Sequence, residues 1–277
     1  MKSKIAIVTG ASSGIGKATA ELLANSGYKV YGTSRKGAQS AQHAYKMIAL
    51  DVNSEASIEA ALNEVVQIEG KIDLLVNNAG FGIAPGGAEE SSIEQTKMLF
   101  ETNFFGIVRM TRAVVPYMRN QGEGRIINIG SILGLIPAPY MATYAATKHA
   151  VEGFSESLDH ELRTVGIRVS VVEPGYTNTH FEVNTQEVDA KLDEYIIARK
   201  ALAKLIKIAV AGGDDPKVVA NVVLKAANAK HPKLRYAAGK LACRLSLLRR
   251  FAPAALVDIG IRKEMKLDLL DKIASQA

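Results

Sequence analysis

Short apolar runs alternate with longer amphipathic stretches along most of this 277-residue chain. The runs are rich in Val and Ile, which favours strands, and the stretches repeat apolar residues at the three-to-four spacing of a helix. The predicted strands are Ile5–Val8, Lys29–Thr33, Lys46–Leu50, Ile72–Val76, Arg125–Ile129, Ile167–Val172 and Leu234–Ala237. The predicted helices cover residues 14–26, 54–69, 92–119, 141–165, 184–211 and 215–229, with one or two more after residue 239. This alternation predicts an α/β fold: a doubly wound parallel sheet of the Rossmann type, with about seven strands and helices on both faces.

No linker and no internal repeat interrupts the alternation, so we expect one domain over residues 1–277. Residues 175–213 depart from the pattern, because they separate one strand from the next regular helix by an unusually long stretch. In a doubly wound sheet, insertions after the carboxyl end of a strand lie over the ligand crevice. We therefore expect a substrate lid around 175–213 and, further on, a basic C-terminal extension over 239–277.

Composition narrows the class of protein. Hydrophobic residues make up 48% of the chain and charged residues 22%, which indicates a globular protein and excludes disorder as the main state. The single cysteine, Cys243, cannot form an intramolecular disulfide. No apolar run reaches about 18 residues, and the one at Ile5 is too short for a secretory signal. We therefore expect a cytoplasmic protein without an integral membrane segment.

Positive charge is concentrated in the last third of the chain. Residues 191–277 carry 18 Lys or Arg against 8 Asp or Glu, whereas residues 1–190 carry 16 against 20. A basic segment can meet nucleic acid, an anionic membrane surface or an acidic ligand. These basic residues are dispersed among Leu, Ala and Ile without an aromatic platform for bases, so we expect no nucleic-acid partner. Peripheral contact with lipid stays open.

A glycine-rich turn follows the first predicted strand and opens the first predicted helix. It reads Thr9-Gly10-Ala11-Ser12-Ser13-Gly14-Ile15-Gly16. Such glycines bring backbone amides close to a pyrophosphate at a helix N-terminus. Two other interpretations stay open: the turn also fits G-x-S-x-G, the nucleophile elbow of serine hydrolases, or it binds no ligand. A phosphate loop does not fit, because Ala stands at positions 11 and 18 where that motif needs Gly and Ser or Thr.

The spacing T-G-x-x-x-G-x-G resembles the short-chain dehydrogenase/reductase family, and further family motifs follow in order over about residues 5–180. The resemblance implies an oxidoreductase that binds a nicotinamide dinucleotide. The positions that would contact this cofactor are Gly10, Ser12, Ser13, Gly14, Ile15, Gly16, Asp51, Val52, Asn78, Ala79, Gly80, Pro174, Gly175 and Thr177, with Thr179 as a second choice for the threonine. Asp51 could instead cap the helix that begins near Ser54.

The end of the second predicted strand indicates which nicotinamide cofactor binds. NAD sites usually place a carboxylate there, against the ribose 2′-hydroxyl. No acidic residue occurs between Lys29 and Gly37. Arg35 can instead bind a 2′-phosphate through charge-assisted hydrogen bonds, with Lys36 adding a second positive charge. We therefore expect NADP (NADPH) rather than NAD.

Tyr144 and Lys148 are four residues apart in a predicted helix, so their side chains share one helix face. A phenol has a pKa near about 10, and a nearby ammonium group favours the phenolate. Ser131 follows the fifth predicted strand at the ligand edge of such a sheet, where it can reach the same substrate oxygen as Tyr144. Tyr140 has no lysine four residues later and is therefore not chosen.

The resemblance assigns roles to these residues. Tyr144 would donate a proton to a carbonyl oxygen, or accept it in the reverse direction, and Ser131 would orient that oxygen. Lys148 would hold the nicotinamide ribose and lower the pKa of Tyr144, so Tyr144 and Lys148 also count as cofactor contacts. Asn103 matches the family's helix asparagine, which supports a water-linked proton relay to the lysine.

We therefore expect an NADPH-dependent oxidoreductase that interconverts a carbonyl and an alcohol on a small, apolar substrate. Lys233–Gly239 and Tyr31–Arg35 resemble the hydroxysteroid and retinol dehydrogenase branch, which favours a steroid-, retinoid- or lipid-like ketone or aldehyde. The alternatives are a non-catalytic NADP-binding regulator and a serine hydrolase, and within enzymes an epimerase or dehydratase.

The sequence also bears on metal binding and on assembly. The five histidines show no H-x-x-x-H spacing, so we expect no catalytic metal. The resemblance implies a homodimer or homotetramer assembled through the helices at 92–119 and 141–165. Two stretches are amphipathic and basic. Residues 196–210 could close over an apolar ligand or pack on the core as a surface helix. Residues 241–261 could line the substrate cleft, mediate self-association or lie on a lipid surface.

Overall fold

A computed structural model describes residues 3–37, 43–179 and 184–267. Its seven strands are β1 Ile5–Val8, β2 Lys29–Ser34, β3 Lys46–Ala49, β4 Leu74–Asn77, β5 Gly124–Ile129, β6 Ile167–Pro174 and β7 Arg235–Ala238. They form one parallel sheet in the order β3-β2-β1-β4-β5-β6-β7. The chain order reverses between β1 and β4, and ligands of such sheets bind in the crevice beyond the carboxyl ends of the strands at that point. The predicted α/β fold, a doubly wound parallel sheet, is confirmed.

Helices connect the strands and cover the sheet. The helices of the described ranges are α1 Gly14–Asn25, α2 Glu55–Glu69, α3 Ile93–Phe100, α4 Gly106–Gln121, α5 Ala142–Arg163, α6 Ile196–Ala211, α7 Pro216–Asn228, α8 Lys240–Phe251 and α9 Ala254–Glu264. Side-chain caps fix the starts of α2 and α7. Ser54 accepts a hydrogen bond from the Ser57 amide, and Asp215 accepts one from the Lys217 amide.

The core has one layer on each face of the sheet, because successive side chains of a strand point to opposite faces. In β1, Ala6 and Val8 pack in the layer that holds α1 and α7, whereas Ile5 and Ile7 pack in the layer that holds α2 and α4. All four side chains are at most 3% exposed. A strand buried on both faces reads as a continuous apolar run, which is why β1 is evident in the sequence.

Two helix predictions need correction. The predicted helix at 184–211 begins only at Ile196, because the backbone of the preceding residues bonds to a neighbouring loop: the Ala84 amide donates to the Gln186 carbonyl at 2.7 Å, and the Gln186 amide to the Gly82 carbonyl at 2.9 Å. The predicted helix at 92–119 is interrupted by a π-helical turn, Glu101–Phe105. Within the described ranges, no helix is both long and apolar enough to cross a bilayer.

Candidate active site

The glycine-rich turn lies at the carboxyl end of β1 and leads into α1. Gly10 has a φ of 66°, a left-handed conformation that favours glycine. A Cβ atom on Gly16 would lie 2.3 Å from the Gly10 carbonyl oxygen, so the turn closes only without a side chain there. Ser13 precedes α1 without a side-chain cap, and the first turn of α1 has no acidic residue. The amides at this helix start are therefore available to an anion such as a pyrophosphate.

Thr9 joins this turn to the segment after β4. Its Oγ1 accepts hydrogen bonds from the amides of Asn78 at 2.9 Å and Ala79 at 3.0 Å. In return, Asn78 Nδ2 donates to the carbonyls of Thr9 and Gly10 at 2.9 and 3.1 Å. The predicted cofactor residues Asn78 and Ala79 are thus fixed against the glycine turn. Thr9 was not among the predicted site residues, although its place directly before Gly10 was a signal.

Arg35 lies in the exposed turn after β2, beside Lys36. No ion pair engages either side chain within the described residues, so both are available to an anionic ligand.

Ser54, and not Asp51, caps α2. The Asp51 carboxylate accepts a hydrogen bond from the Asn53 amide at 2.9 Å. The Val52 side chain is buried in the core, which leaves mainly its backbone for contact with a ligand.

Three predicted catalytic residues converge beyond the end of β5. Ser131 directly precedes the short 3₁₀ turn Ile132–Gly134 and hydrogen-bonds through its side chain to Tyr144 on α5. Lys148, one helical turn later, is only 8% exposed. Its Nζ donates to the Ile129 carbonyl at 3.1 Å and lies 5.7 Å from the centre of the Tyr144 ring. The sequence prediction that these three side chains lie together agrees with this geometry.

Burial is the largest cause of the pKa shifts of both Tyr144 and Lys148. Burial raises the pKa of Tyr144 to about 12, and the hydrogen bond from Ser131 only partly offsets this. Burial also lowers the pKa of Lys148 to about 8, although the negative charge of Glu152 acts in the opposite direction. The phenol is therefore neutral at pH 7, because the effect of burial on its charged form outweighs the hydrogen bond from Ser131.

Asn103 lies in the π-helical turn between α3 and α4 and is 1% exposed. Its side-chain amide binds the backbone of Phe81 in both directions: Nδ2 donates to the Phe81 carbonyl at 2.9 Å, and Oδ1 accepts from the Phe81 amide at 3.0 Å. Asn103 thus anchors the segment that follows the predicted cofactor residue Gly80. Single π-helical turns inside helices occur frequently at functional sites.

The segment after β6 reaches back towards the glycine turn. Pro174 ends β6, and Gly175 follows it beside α8. The Thr177 hydroxyl donates to the Gly175 carbonyl at 3.2 Å, whereas a Cβ atom on Gly14 would lie 3.3 Å from Thr179 Cβ. Thr179, the second choice from the sequence, is therefore the threonine that approaches the glycine-rich turn.

An apolar wall flanks Tyr144 on the substrate side. Its ring packs against a cluster formed by Ile83, Leu99 and Val188, with Phe81 at the edge. The adjoining cleft is lined by Ile83, Ala84, Gly86, Gly87, Ala88, Ser91, Tyr140, Met141, Ala142, Thr143, Tyr144 and Val188. The wall suits an apolar substrate.

Residues 184–195, the strap, run beside this cleft: Gln186 pairs with Ile83, and Val188 lines the cleft. Glu90, which is fully buried, holds the far end of the strap: Oε1 accepts from the Leu192 amide at 2.9 Å and pairs with Arg199. Its other oxygen, Oε2, accepts from the Gly87 amide at 2.7 Å. Residues 180–183 of the predicted lid lie outside the described residues.

Two buried carboxyl groups lie behind the catalytic residues. Glu152, one turn after Lys148 on α5, accepts from Arg235 Nε at 2.9 Å, and Glu173 on β6 lies 3.6 Å from the same nitrogen. Glu173 is fully buried, and neither of its carboxyl oxygens has a hydrogen-bond partner among the described residues. Burial, followed by the negative charge of Glu152, raises the pKa of Glu173 to about 8. Glu173 is therefore protonated at pH 7.

The serine-hydrolase interpretation finds no support in this geometry. Ser12 is exposed in the glycine-rich turn, and no histidine of the described ranges hydrogen-bonds to it, so the general base of such an enzyme is missing there. His180 lies outside the described residues. The part of the chain that the structure describes also contains no cluster of His, Cys, Asp or Glu that could hold a metal ion.

Comparison with known proteins gives a consistent result. Residues 4–190 match the sequence model of the short chain dehydrogenases. A 3-ketodihydrosphingosine reductase of Bacteroides thetaiotaomicron is 39% identical over 243 residues, which cover 87% of this chain and 90% of the relative. A solved short-chain dehydrogenase of Streptomyces avermitilis superposes with a TM-score of 0.78 at 29% identity, covering 98% of both chains.

A solved 3-ketoacyl-(acyl-carrier-protein) reductase of Brucella melitensis, complexed with NADH, has a TM-score of 0.72 and 27% identity over 84% of this chain and 96% of its own. Other similar solved chains hold NAD or NADP⁺.

Proposed function

Because this chain belongs to the short-chain dehydrogenase family, whose members are oxidoreductases, we propose that it reduces a ketone or aldehyde on a small apolar substrate with NADPH. The observation that carries the proposal is the joint placement of Ser131, Tyr144 and Lys148 beyond the carboxyl end of β5, at the same edge of the sheet as the glycine-rich turn after β1. The apolar wall around Tyr144 supports an apolar substrate. The similarity to a reductase that acts on a long-chain lipid ketone points in the same direction.

The residues around the glycine turn fit a nicotinamide dinucleotide. The turn can hold a pyrophosphate only because position 16 lacks a side chain, and the start of α1 leaves its amides free. We propose that Asn78, Ala79 and Gly80 line the cofactor site together with Gly175 and Thr177 or Thr179. When bound, the nicotinamide supplies the hydride that reduces the carbonyl carbon.

The protonation states support action as a reductase. Tyr144 is a neutral phenol at pH 7, so it can donate its proton to the carbonyl oxygen as alkoxide charge develops there. Ser131 donates a hydrogen bond to the same oxygen, and this hydrogen bond becomes stronger as negative charge develops on the oxygen. Lys148, largely protonated below its pKa of about 8, stabilises the phenolate that Tyr144 becomes. We propose that Asn103 supports the return of a proton through Lys148.

The specificity for NADPH is proposed from Arg35 and Lys36. Both are exposed after β2, where an NAD site would carry an acid. Fluorescence titration with NADPH and NADH should show preference for NADPH in the wild type and its loss in Arg35→Ala. Arg119→Ala is the matched control, because Arg119 lies near the end of α4, close to the amino end of β5, whereas the predicted cofactor site lies at the carboxyl ends of the strands. Equal affinities for the two cofactors in the wild type would refute the proposed specificity.

The chemistry is tested separately with Tyr144→Phe. This variant should still bind NADPH but lose at least about a thousandfold of its activity on steroid, retinoid and long-chain ketones, because the proton donor is gone. An active Tyr144→Phe variant would contradict the proposed acid. Cofactor binding without any NADPH consumption across the whole carbonyl panel would instead favour a non-catalytic NADP-binding regulator.

Assembly into a homodimer or homotetramer through α3, α4 and α5 also remains a proposal. It is supported by large apolar side chains exposed on and between the first two helices: Ile93 is 63% exposed, Met98 44% and Phe105 46%. Light scattering coupled to size-exclusion chromatography should show a multiple of the 29.7 kDa chain mass.

A further inference from the structure

The two C-terminal helices, α8 and α9, expose an unusual number of large apolar side chains. Six of the thirteen large hydrophobic residues exposed in the described ranges lie on these two helices. We call these six the C-terminal face: Leu241 (39% exposed), Leu247 (60%), Leu248 (42%), Phe251 (73%), Leu256 (60%) and Ile259 (60%). Exposed apolar patches of this kind mark sites of interaction with a protein or a membrane.

The face is the outer side of helices that are already packed. On the inner side, Ala242 is fully buried against Ile132 and Ile136, and Leu245 and Ile261 pack on the same cluster. At about 100° per residue, the four exposed apolar residues of α8 fall within about 120° of one another, opposite Ala242. The helix is therefore apolar on both sides, and only one side is used by the fold.

Positive charge is concentrated on the two helices that carry the face. Over α8 and α9 there are six basic residues and two acidic ones, Asp258 and Glu264. Within the described residues, no carboxylate pairs with Lys240, Arg244, Arg249 or Arg250. The Arg250 guanidinium lies over the Phe251 ring at 5.4 Å, so an apolar group and a cation are presented together.

The positive charge favours one of two candidates for covering the C-terminal face, a second copy of the chain or an anionic lipid surface. A second copy of the chain would bring the same excess of positive charge against itself, which disfavours pairing through this face. An anionic lipid surface offers the opposite charge, and its interfacial region accepts Leu and Phe side chains while Arg and Lys bind the headgroups. The combination of apolar side chains with flanking cations therefore fits a membrane surface better than a protein copy.

The face also lies next to the candidate active site. α8 packs on the Ile132–Gly134 turn, which directly follows Ser131. At the other side, a Cβ atom on Gly175 would lie 3.8 Å from Leu241 Cδ2. The C-terminal face is thus part of helices that contact two segments of the candidate site, the turn after Ser131 and Gly175.

From these observations we infer that the protein binds peripherally to anionic bilayers through the C-terminal face, with the entrance of the active site held against the lipid. An apolar substrate dissolved in the bilayer would then reach the cleft without crossing water. The delivery of an apolar substrate rests on the proposed function, whereas lipid binding does not. Lipid binding is measured without turnover, so its failure and the failure of the proposed function are distinguishable.

The test is cosedimentation of the full chain with vesicles of phosphatidylcholine alone or mixed with phosphatidylglycerol. We expect binding to the mixed vesicles, weak binding to phosphatidylcholine, and weaker binding as salt is raised. The double variant Leu247→Ser with Phe251→Ser should bind the mixed vesicles at least about tenfold more weakly, because two apolar side chains no longer enter the interface. Ile68→Ser on α2, where Ile68 is 54% exposed, is the matched control and should bind like the wild type.

A charge variant separates the two contributions. Arg244→Glu with Arg250→Glu should lose the preference for phosphatidylglycerol, whereas Lys225→Glu, an exposed change on α7, should keep it. Circular dichroism confirms that each variant is folded. Absence of wild-type binding to the mixed vesicles would overturn the proposal, and so would equal binding by Leu247→Ser with Phe251→Ser. A loss of oligomer mass in that double variant, without vesicle binding by the wild type, would assign the face to contacts between copies.

Discussion

Replacing Glu173 by Gln should change how the stability of the protein depends on pH. The carboxyl group of Glu173 is fully buried beside Glu152 and Arg235, and its pKa of about 8 lies above the ordinary 4.5. Between these two pH values the folded chain holds a proton that the unfolded chain releases. Because the folded state binds more protons, the free energy of unfolding contributed by this group falls as pH rises through that window.

The magnitude follows from the difference between the two pKa values. Each pKa unit corresponds to about 1.4 kcal/mol, so at pH 9 the buried carboxylate costs on the order of 5 kcal/mol relative to pH 4. Gln resembles the neutral carboxyl in shape and does not titrate. Glu173→Gln should therefore be close to the wild type in stability at about pH 5 and more stable than it by several kcal/mol at about pH 9.

Urea unfolding at both pH values and at one protein concentration measures this difference. Subtracting the wild type from the variant cancels the groups that titrate independently of Glu173. Glu156→Gln is the matched control, because Glu156 binds the same Arg235 at 2.9 Å but its side chain is 49% exposed, and its effect should change little with pH. A stability gain of Glu173→Gln that does not grow between pH 5 and pH 9 would refute the reasoning.

Three further changes test other parts of the structure. Asp159→Asn should lower the free energy of unfolding at pH 7 by about 2–3 kcal/mol. Against the effect of burial, hydrogen bonds from Arg168 and Arg163 hold the pKa of Asp159 at about 2, so the stability that Asp159 contributes is lost as pH falls from 3.8 towards 2. In acid unfolding, the difference between the variant and the wild type should therefore shrink below pH 4. Gly16→Ala should weaken NADPH binding at least about tenfold in a titration while circular dichroism stays native, because its Cβ would lie 2.3 Å from the Gly10 carbonyl oxygen. Asn103→Ala removes both hydrogen bonds to the Phe81 backbone and should lower the free energy of unfolding by about 2–4 kcal/mol in urea; an unchanged midpoint would show that this anchor is dispensable.

The strands and the outline of the site could be predicted from the sequence because their signals are local. Strand β1 is a run of four buried apolar residues, and Tyr144 and Lys148 share a helix face by spacing alone. The glycine positions are fixed by a turn that closes within a few residues of itself.

The remaining features depend on contacts between distant parts of the chain. The strap does not continue α6 because its backbone forms hydrogen bonds to residues about a hundred positions earlier. Hydrophobic periodicity does not reveal such long-range hydrogen bonds. The pKa of Tyr144 rises because of burial, and its ring packs against Ile83, Leu99 and Val188, so the direction of the shift required the packed structure. Glu173 lies one residue beyond the predicted strand Ile167–Val172, and only the fold brings it to Glu152 and Arg235.

The attachment of the strap to Glu90 has a consequence for how substrate range can change in evolution. One buried carboxylate fixes both Leu192 and Arg199, so the start of α6 keeps its position regardless of the chain before it. Insertions, deletions and substitutions upstream of Leu192 can therefore reshape the outer wall of the cleft without disturbing α6. Ser131, Tyr144 and Lys148 lie on other elements, so descendants of this chain can diverge in what they accept while they inherit the same chemistry.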